Sequence, residues 1–408
     1  MKCRNCGSLL TLPLIDLGSA PPSNAYLSPE NLRKPEQWFP LRVLVCEQCW
    51  LVQTEDFDHT IEPFGADYAY FSGFSTSWLK HAERYVAEMV VRFDLGPMSH
   101  VIELAANDGY LLQYVKARGI PCTGVEPTAS TAAAAREKGI PIIEEFFGLR
   151  LATRLASDNT RANLLVANNV LAHVPDINDF VAGVAIILAP SGIATFEFPH
   201  LLKLIAENQF DTIYHEHFSY LSLTAVQTIF NQNGLTIFDL QEIPTHGGSL
   251  RVFAARADEP RERQASVSAL LEREREAGVA SASYYSGFQA KADRVKTDLL
   301  SFLIETKRHG KTVIGYGAAA KGNTLMNYAG IRPDLIPFVA DRNPAKRGKY
   351  MPGSRIPIVS EECIGKRKPD FVLILPWNIR AEVVQQLEYI RSWGGRFVTA
   401  VPGFTVLP

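Results

Sequence analysis

The sequence has no long apolar run and no excess of charge of either sign. Its 408 residues contain no stretch of about 18 consecutive apolar residues, so we expect no transmembrane helix. With 41 Lys and Arg against 43 Asp and Glu, the formal net charge is -2, which offers no basic field to attract nucleic acid or a membrane surface. The first residues, Met1–Cys6, lack the apolar segment of a secretion signal. We therefore expect a cytoplasmic globular protein, a monomer or homodimer, that binds neither nucleic acid nor membrane.

Cysteine is scarce, and four of the six cysteines stand in two Cys-x-x-Cys pairs. The paired residues are Cys3 with Cys6 and Cys46 with Cys49. Because two-residue spacing lets each pair chelate one ion, and Zn²⁺ takes four thiolates in a tetrahedron, the pairs predict a zinc site. Four thiolates leave no open coordination position, so the predicted zinc is structural rather than catalytic. The alternative is four reduced cysteines without a metal.

The order of apolar runs and helical patterns predicts an α/β protein of several domains. Short buried strands alternate with helices over residues 81–256, the pattern of a mainly parallel sheet. The connection Pro244–Gly248 has the composition of a hairpin, so this sheet is expected to end antiparallel. We expect a small zinc-binding domain at 1–80, a Rossmann-like cofactor domain at 81–256, exposed linking helices at 257–309 and a second Rossmann-like unit at 310–408.

A strand, a turn of small residues and a helix follow one another at Val101–Tyr110, without the three glycines of a dinucleotide-binding turn. Glu126 ends the next strand, where an acidic residue would bind ribose hydroxyls. A ligand with a ribose but no pyrophosphate fits this pattern, which favours S-adenosylmethionine (SAM). The alternative is a plain α/β core with a capped helix. The predicted SAM contacts are Glu103, Ala105, Asn107, Asp108, Gly109, Glu126, Asn168 and Asn169.

The segment Tyr214–Tyr220 places two imidazoles, a carboxylate and two phenols within seven residues. It is not the His-Glu-x-x-His pattern of zinc peptidases, and no third nearby ligand completes a metal set, so acid–base chemistry is preferred. A histidine is suited to act as a general base near neutral pH, and Glu216 could orient it or raise its basicity. A phenol of the segment, or Tyr68, could stabilise a developing oxyanion. His173 would face the same cleft. The alternative is a structural histidine cluster.

These motifs, with His246–Arg251 and Gly315–Asn323, occur in an order that resembles the nucleotide-sugar C-methyltransferases, especially the C-3 enzymes of deoxysugar pathways. The resemblance covers essentially the whole chain. It implies a zinc-binding N-terminal domain, a middle domain with the class I SAM methyltransferase fold, and a Rossmann-like C-terminal domain. It also implies a dTDP-linked 4-keto-deoxysugar as the substrate, with zinc in a structural role.

The resemblance further implies roles for individual residues. His217 matches the family's base, which would remove the sugar C-3 proton so that the enolate attacks the methyl group of SAM. The matching supporting positions are Tyr214, Glu216, His173 and Tyr68. The expected substrate contacts are His246, Gly317, Lys321 and Asn323, with the helix start at 317–323 suited to a nucleotide diphosphate. One departure is Ala105, where the family often has glycine and a methyl group could crowd the methionine end.

Two other functions remain open on the sequence. One is a non-catalytic nucleotide-sugar-binding protein that has kept the fold. The other is an NAD-dependent oxidoreductase of nucleotide sugars, because Gly315–Ala320 has a G-x-G-x-x-A outline. That outline lacks a clear acidic partner for the ribose, for which Asp341 is the nearest candidate.

Overall fold

The computed structural model of the protein describes residues 1–56 and 71–407, which form three β-sheets of four, seven and six strands. Within the described residues, no helix combines the length and the apolar character that crossing a membrane requires. Short 3-10 helices lie at Asn31–Arg33, Ser72–Phe74, Leu171–His173, Phe210–Thr212, Thr245–Gly247, Trp377–Ile379 and Glu388–Trp393.

The first sheet belongs to the N-terminal domain and is antiparallel throughout. Its first three strands are β1 (Leu12–Ala20), β2 (Phe39–Val45) and β3 (Val52–Thr54). Alternate apolar residues of these strands face one buried side, as the pleat of a strand requires. The fourth strand, β9 (Ser219–Tyr220), comes from the middle of the chain and pairs with β3. The end of the Tyr214–Tyr220 segment is therefore part of the N-terminal sheet.

The second sheet is the middle domain, with strand order β10-β11-β8-β7-β4-β5-β6. Strand β11 is antiparallel to both neighbours, as the hairpin at Pro244–Gly248 predicted, and the other paired strands run parallel. The strand order reverses between β4 and β7, the position at which open α/β sheets bind ligands. The strands are β4 (Val101–Leu104), β5 (Cys122–Val125), β6 (Ile142–Ile143), β7 (Ala162–Asn168), β8 (Leu188–Pro199), β10 (Leu235–Ile243) and β11 (Ser249–Arg256).

Helices cover both faces of this sheet, which explains why its central strands are apolar on both sides. Helix α1 crosses residue 80, the expected domain boundary, and its buried residues pack with the middle sheet. We therefore propose that the zinc-binding domain ends before residue 76. The helices are α1 (Thr76–Arg92), α2 (Leu112–Lys116), α3 (Ala129–Glu137), α4 (Leu149–Ser157), α5 (Ile177–Ile187), α6 (Leu201–Ala206) and α7 (Leu223–Gln232).

The helices of residues 257–309 are docked on the domains rather than exposed all round. They are α8 (Ala265–Ala277), α9 (Ala282–Tyr285) and α10 (Phe288–Arg308). Helix α8 buries Val267 and Leu270 in the core of the middle domain, whereas α10 packs in the core shared by the other two domains. Helix α10 is rich in charged residues, but its buried residues recur every three or four positions and form one buried stripe. The overall composition did not indicate this stripe.

The third sheet forms the C-terminal domain, in the order β14-β13-β12-β15-β16-β17. Its paired strands run parallel except for β17. The order reverses between β12 and β15, and helix α11 begins just after β12. The strands are β12 (Val313–Tyr316), β13 (Val339–Ala340), β14 (Ile358–Val359), β15 (Phe371–Ile374), β16 (Arg396–Thr399) and β17 (Thr405–Leu407). The helices are α11 (Ala320–Ala329), α12 (Glu362–Arg367) and α13 (Arg380–Gln386).

Candidate active site

The four paired cysteines converge on one point in the N-terminal domain. Their Sγ atoms all lie within 4.8 Å of one another. The Sγ–Sγ distance is 3.5 Å both between Cys3 and Cys49 and between Cys6 and Cys46. Four thiolates around a zinc ion with Zn–S bonds of about 2.3 Å form a tetrahedron whose edges are about 3.8 Å. The thiols therefore fit a closed, four-coordinate zinc site.

The turn after β4 is built around the carboxylate of Glu126 at the end of β5. Its two oxygens accept hydrogen bonds from the backbone amides of Asn107 and Thr128, each at 2.9 Å. The side-chain oxygen of Asn107 in turn accepts from the amide of Ser72 at 2.9 Å. The carboxylate of Asp108 accepts from the amide of Gly73 at 3.2 Å. The predicted cofactor residues thus lie together at the carboxyl edge of the middle sheet, under the segment that leads into α1.

Close backbone packing accounts for the small residues of this turn. A side chain at Gly109, whose φ is +72°, would place its Cβ 2.4 Å from Cδ1 of Ile140. Ala105 also has a left-handed backbone, with φ 54°. A non-glycine residue pays about 1–2 kcal/mol for that conformation. Ala105, which stands where the resembled family often has glycine, therefore carries backbone strain.

Two polar side chains are buried beside this turn. Glu103, at the end region of β4, is 1% exposed, and Asn168, at the end of β7, is 7% exposed. Neither side chain completes a well-aligned hydrogen bond among the described residues. Burial, together with nearby carboxyl groups, raises the pKa of Glu103 well above its usual range, although the Tyr110 hydroxyl opposes this shift. Orphaned buried polar atoms indicate a place where a ligand supplies the missing bonds, so the residues present fit a polar cofactor such as SAM.

The first part of the Tyr214–Tyr220 segment is a β-turn, in which the amide of His217 donates to the carbonyl of Tyr214 at 2.9 Å. The rings at the two ends of the turn pack together, with 3.9 Å between the centroids of Tyr214 and His217. The two central residues contact the N-terminal domain instead. Nε2 of His215 donates to the carbonyl of Pro40 at 3.1 Å, which gives that histidine a structural role.

His217 is held as a neutral imidazole with a lone pair on Nε2. Its Nδ1 lies 2.8 Å from the carbonyl oxygen of Thr212, which can only accept, so Nδ1 carries the proton. No hydrogen bond to Nε2 is present among the described residues. The ring of His173 lies 4.6 Å away, centroid to centroid. Burial, with help from His173, Lys321 and His246, lowers the pKa of His217 well below its usual range.

Glu216 does not orient His217 through its carboxyl group. That group accepts from Nδ2 of Asn24 at 2.5 Å, because the turn directs the side chain towards the loop between β1 and β2. Burial raises the pKa of Glu216 to about 7, although the bond from Asn24 opposes this shift. The backbone carbonyl of Glu216 accepts from Nδ1 of His173 at 2.7 Å and so fixes that ring. The orienting contact to His217 comes from Thr212, which the sequence did not point to.

Two other tyrosines, Tyr68 and Tyr220, were candidates to stabilise an oxyanion at the site. Tyr68 lies outside the described residues. Tyr220 is buried in β9, and burial raises its pKa above the usual range. Its ring stands edge-on to the ring of His217, with 6.1 Å between centroids.

Lys321, at the start of α11, reaches the same cleft from the C-terminal domain. Its Nζ donates to the carbonyl of His246 at 3.3 Å and lies 4.8 Å from the centroid of the Trp377 ring. Burial lowers the pKa of Lys321, while Asp211 opposes the shift. The ring of His246 lies near the cofactor edge, because its Nε2 is 3.4 Å from Nδ2 of Asn169. Predicted residues from two domains therefore meet here.

The remaining predicted substrate residues lie around the start of α11. Asn323 is fully buried, and neither polar atom of its side chain has a partner among the described residues. A side chain at Gly317 would place its Cβ 2.6 Å from Cδ of Pro376. The amide of Ala318 donates to the Asp341 carboxylate at 2.6 Å. Asp341 thus contacts the turn after β12 in the same way that Glu126 contacts the turn after β4.

A buried polar cluster around Glu197 in β8 was not predicted from the sequence. The carboxylate of Glu197, which is fully buried, accepts from His81 at 2.9 Å and from Arg251 at 3.1 Å. Burial would raise the pKa of Glu197, but His81 and Arg251 outweigh it and hold the pKa below the usual range. Trp78 packs against the rings of both His81 and His246, with centroid distances of 4.8 and 5.2 Å. A lone acidic residue in an otherwise apolar strand was the available signal.

The seven-stranded sheet, its antiparallel β11 and the polar carboxyl edge at β4 and β7 define a class I SAM-dependent methyltransferase. Three family models match successive parts of the chain: "Putative zinc binding domain" at 3–63, "Methyltransferase domain" at 78–240 and "C-methyltransferase C-terminal domain" at 244–402. The C-methyltransferase NovU of Streptomyces niveus is 36% identical over 404 residues, which cover 98% of this chain and 95% of that protein. The chain therefore belongs to the C-methyltransferase family, with a zinc-binding N-terminal domain.

Solved structures with some similarity include protein PH0226 from Pyrococcus horikoshii OT3, at a TM-score of 0.39 and 16% identity, covering 46% of this chain and 95% of that chain. The magnesium protoporphyrin IX methyltransferase of Synechocystis PCC 6803, solved with bound SAM, has a TM-score of 0.34 and 15% identity over 44% of this chain and 79% of that chain. Family membership makes the protein a SAM-dependent C-methyltransferase, in place of the binding protein or oxidoreductase considered above.

Proposed function

We propose that this C-methyltransferase methylates C-3 of a nucleotide-linked 4-keto-deoxysugar, of the dTDP type, with His217 as the base. One observation carries the proposal. His217 is a buried, neutral imidazole whose Nδ1 is fixed by Thr212 and whose Nε2 has no partner among the described residues. Lys321 of the C-terminal domain and His246, which lies beside Asn169 at the cofactor edge, are both close enough to help lower the pKa of His217.

The chemistry needs a carbon acid that an imidazole can deprotonate. A ketone at C-4 makes the C-3 proton removable, because the charge that remains delocalises onto the ketone oxygen. Nε2 of His217 would take this proton, while Nδ1 keeps its hydrogen bond to Thr212 and so stabilises the imidazolium that forms. The phenol of Tyr214 lies beside His217 and is placed to stabilise the enolate oxygen. The ring of His173 also lies beside His217, but its Nδ1 donates to the Glu216 carbonyl, so its Nε2 presents a lone pair and has no proton to donate to the enolate.

SAM, when bound, supplies an electrophilic methyl group, and the C–C bond forms as the S–CH₃ bond breaks. The residues that would hold it are Glu126 and the turn at Asn107 and Asp108, with Glu103 and Asn168 supplying buried polar atoms. Because a sulfonium methyl needs no metal for activation, the zinc held by the four cysteines would take no part in the reaction.

The nucleotide end of the substrate would bind at the start of α11, where the strand order of the C-terminal sheet reverses. Backbone amides at a helix start favour anionic groups, and Lys321 adds a positive charge there. Asn323 supplies two buried polar atoms without partners among the described residues. These features suit a diphosphate and its attached base, with the sugar directed towards His217.

The proposal is tested by incubating the enzyme and SAM with a panel of nucleotide sugars and following methyl addition by mass spectrometry. We expect one methyl group on 4-keto sugars, and none on matched sugars with a hydroxyl at C-4. In D₂O without SAM, the enzyme should exchange the C-3 proton of the accepted sugar. Methylation of acceptors that lack the ketone, with no transfer to any 4-keto sugar, would contradict the proposal.

A further inference from the structure

We propose that the zinc-binding domain positions the catalytic base, with Thr54 and Arg4 as positioning residues for His217. This inference rests on the proposed function, because it takes His217 as the base. It assigns the zinc site a task beyond holding its own domain together. The task is carried by hydrogen bonds that run from a metal-binding cysteine to the peptide bond of His217.

The first step joins the metal site to strand β3. Nε2 of Gln53 donates to Sγ of Cys3 at 3.3 Å. The side-chain oxygen of the same residue accepts from the backbone amide of Arg4 at 2.9 Å. Gln53 is fully buried, so both ends of its amide are committed to the first cysteine pair. Hydrogen bonds to a metal-binding residue orient that residue and tie it to its surroundings.

The second step joins Arg4 to the β3–β9 pair. Nη1 of Arg4 donates to the carbonyl of Thr54 at 2.7 Å and to the carbonyl of Phe218 at 3.3 Å. The guanidinium also lies over the Phe218 ring, 5.2 Å from its centroid. The amide of Thr54 donates to the same Phe218 carbonyl at 3.1 Å. Arg4, which lies between the two cysteines of its pair, thus holds the residue that follows the base.

The third step reaches the base itself. The hydroxyl of Thr54, which is fully buried, donates to the carbonyl of His217. On the other side of the base, the carbonyl of Glu216 accepts from His173, and the ring is fixed by Thr212. The peptide that carries His217 is therefore held by the middle domain on one side and by the zinc-binding domain on the other.

Such a restraint matters because proton transfer depends steeply on position. A misplacement of about 1 Å can lower the rate by about 10²-fold even when the change lies away from the reacting atoms. The contacts form one continuous chain of packed groups from Cys3 through Gln53, Arg4 and Thr54 to His217. Loss of the zinc, or of the Thr54 hydroxyl, should therefore loosen the base while leaving the cofactor edge intact.

The first test is Thr54→Val in the zinc-loaded, full-length enzyme, since valine keeps the shape and removes the hydroxyl. We expect kcat for methyl transfer to fall by about 10-fold or more, with KM and SAM affinity within about 3-fold of wild type. The zinc content should stay at one per chain. Thr54→Ser, which restores a hydroxyl, should recover most of the lost kcat. Thr11→Val is the control for loss of a threonine hydroxyl in the same domain, because Thr11 is exposed and donates to Glu47.

A second measurement does not depend on the substrate. Amide hydrogen–deuterium exchange should show that zinc removal and Thr54→Val both lower protection at His217 and Phe218, while strand β4 stays protected. Unchanged protection at these amides, or an equal loss at β4, would overturn the inference. Unchanged kcat in Thr54→Val would overturn it as well. If the wild-type enzyme methylates no 4-keto sugar, the proposed function fails, whereas the exchange result still decides whether zinc positions this turn.

Discussion

Replacing His217 by asparagine tests its proposed role as the base. The Nδ2 of asparagine can take the place of Nδ1 and keep the hydrogen bond to the Thr212 carbonyl, so the turn should retain its shape. What disappears is the Nε2 lone pair. A positioned base contributes about 10²–10⁴-fold, which corresponds to about 3–5 kcal/mol of transition-state stabilisation. We expect kcat to fall by that factor and SAM affinity to stay near the wild-type value.

The assay compares methyl transfer and C-3 proton exchange in wild type and His217→Asn, with SAM binding measured by calorimetry. Both rates should fall together, because both require removal of the same proton. A loss of less than about 10-fold in both rates would refute the assignment, since a positioned base contributes at least about 10²-fold. Loss of methyl transfer with normal proton exchange would instead show that the substitution disturbs the alignment of the cofactor and not proton removal.

The pH dependence separates His217 from its neighbour. Protonation inactivates a base, and the pKa of His217 is lowered well below its usual range. Activity should therefore persist as pH falls through the ordinary histidine range and drop only at lower pH. The pKa of Glu216 is raised to about 7, so a loss of activity centred near pH 7 would identify Glu216, and not His217, as the controlling group.

Three further outcomes follow from other parts of the molecule. Cys46→Ser should reduce the zinc content to well below one per chain and destabilise the N-terminal domain; a full zinc complement by metal analysis would argue against the four-thiolate site. Ala105→Gly should raise stability by about 0.5–1 kcal/mol in thermal unfolding, because glycine relieves the left-handed backbone; a lower melting temperature would speak against strain there. Glu274→Gln should cost about 2–4 kcal/mol, since the fully buried carboxylate accepts from His200 at 2.7 Å and from the amide of Thr224 at 2.8 Å. Burial would raise the pKa of Glu274, but these bonds outweigh burial and hold the pKa below the usual range. The stability of the wild type should therefore decline as the pH falls through that lowered pKa. The variant should lack this part of the acid sensitivity.

The apolar runs Leu164–Asn168 and Phe371–Leu375 predict buried strands from the sequence alone. The structure has these strands at Ala162–Asn168 and Phe371–Ile374, buried over most of their length. The hairpin at Pro244–Gly248 was predicted from its turn composition. The pairing of β3 with β9 was not, because Ser219–Tyr220 is too short to show a period and its partner lies far away in the sequence.

The contacts of the candidate site could not be predicted from the sequence. The residue types pointed to acid–base chemistry, and the spacing of the histidines left their directions open. A β-turn then separates them, so that His215 contacts Pro40 while His217 packs on Tyr214. Likewise the Glu216 carboxyl meets Asn24, which only the folding of a distant loop brings near. Such contacts depend on tertiary structure that no local pattern encodes.

The strand β9 has a consequence for the synthesis and engineering of this protein. Until Ser219–Tyr220 has emerged from the ribosome, the edge of β3 has no partner from β9, so the N-terminal sheet cannot be completed while only its own residues have been made. An excised N-terminal fragment would keep that open edge, and unpaired edge strands promote aggregation by pairing with other chains. A chimaera that exchanges this domain with a relative would need to exchange the turn around His217 with it. The zinc-binding domain and the turn around His217 therefore share one sheet and would have to be exchanged together.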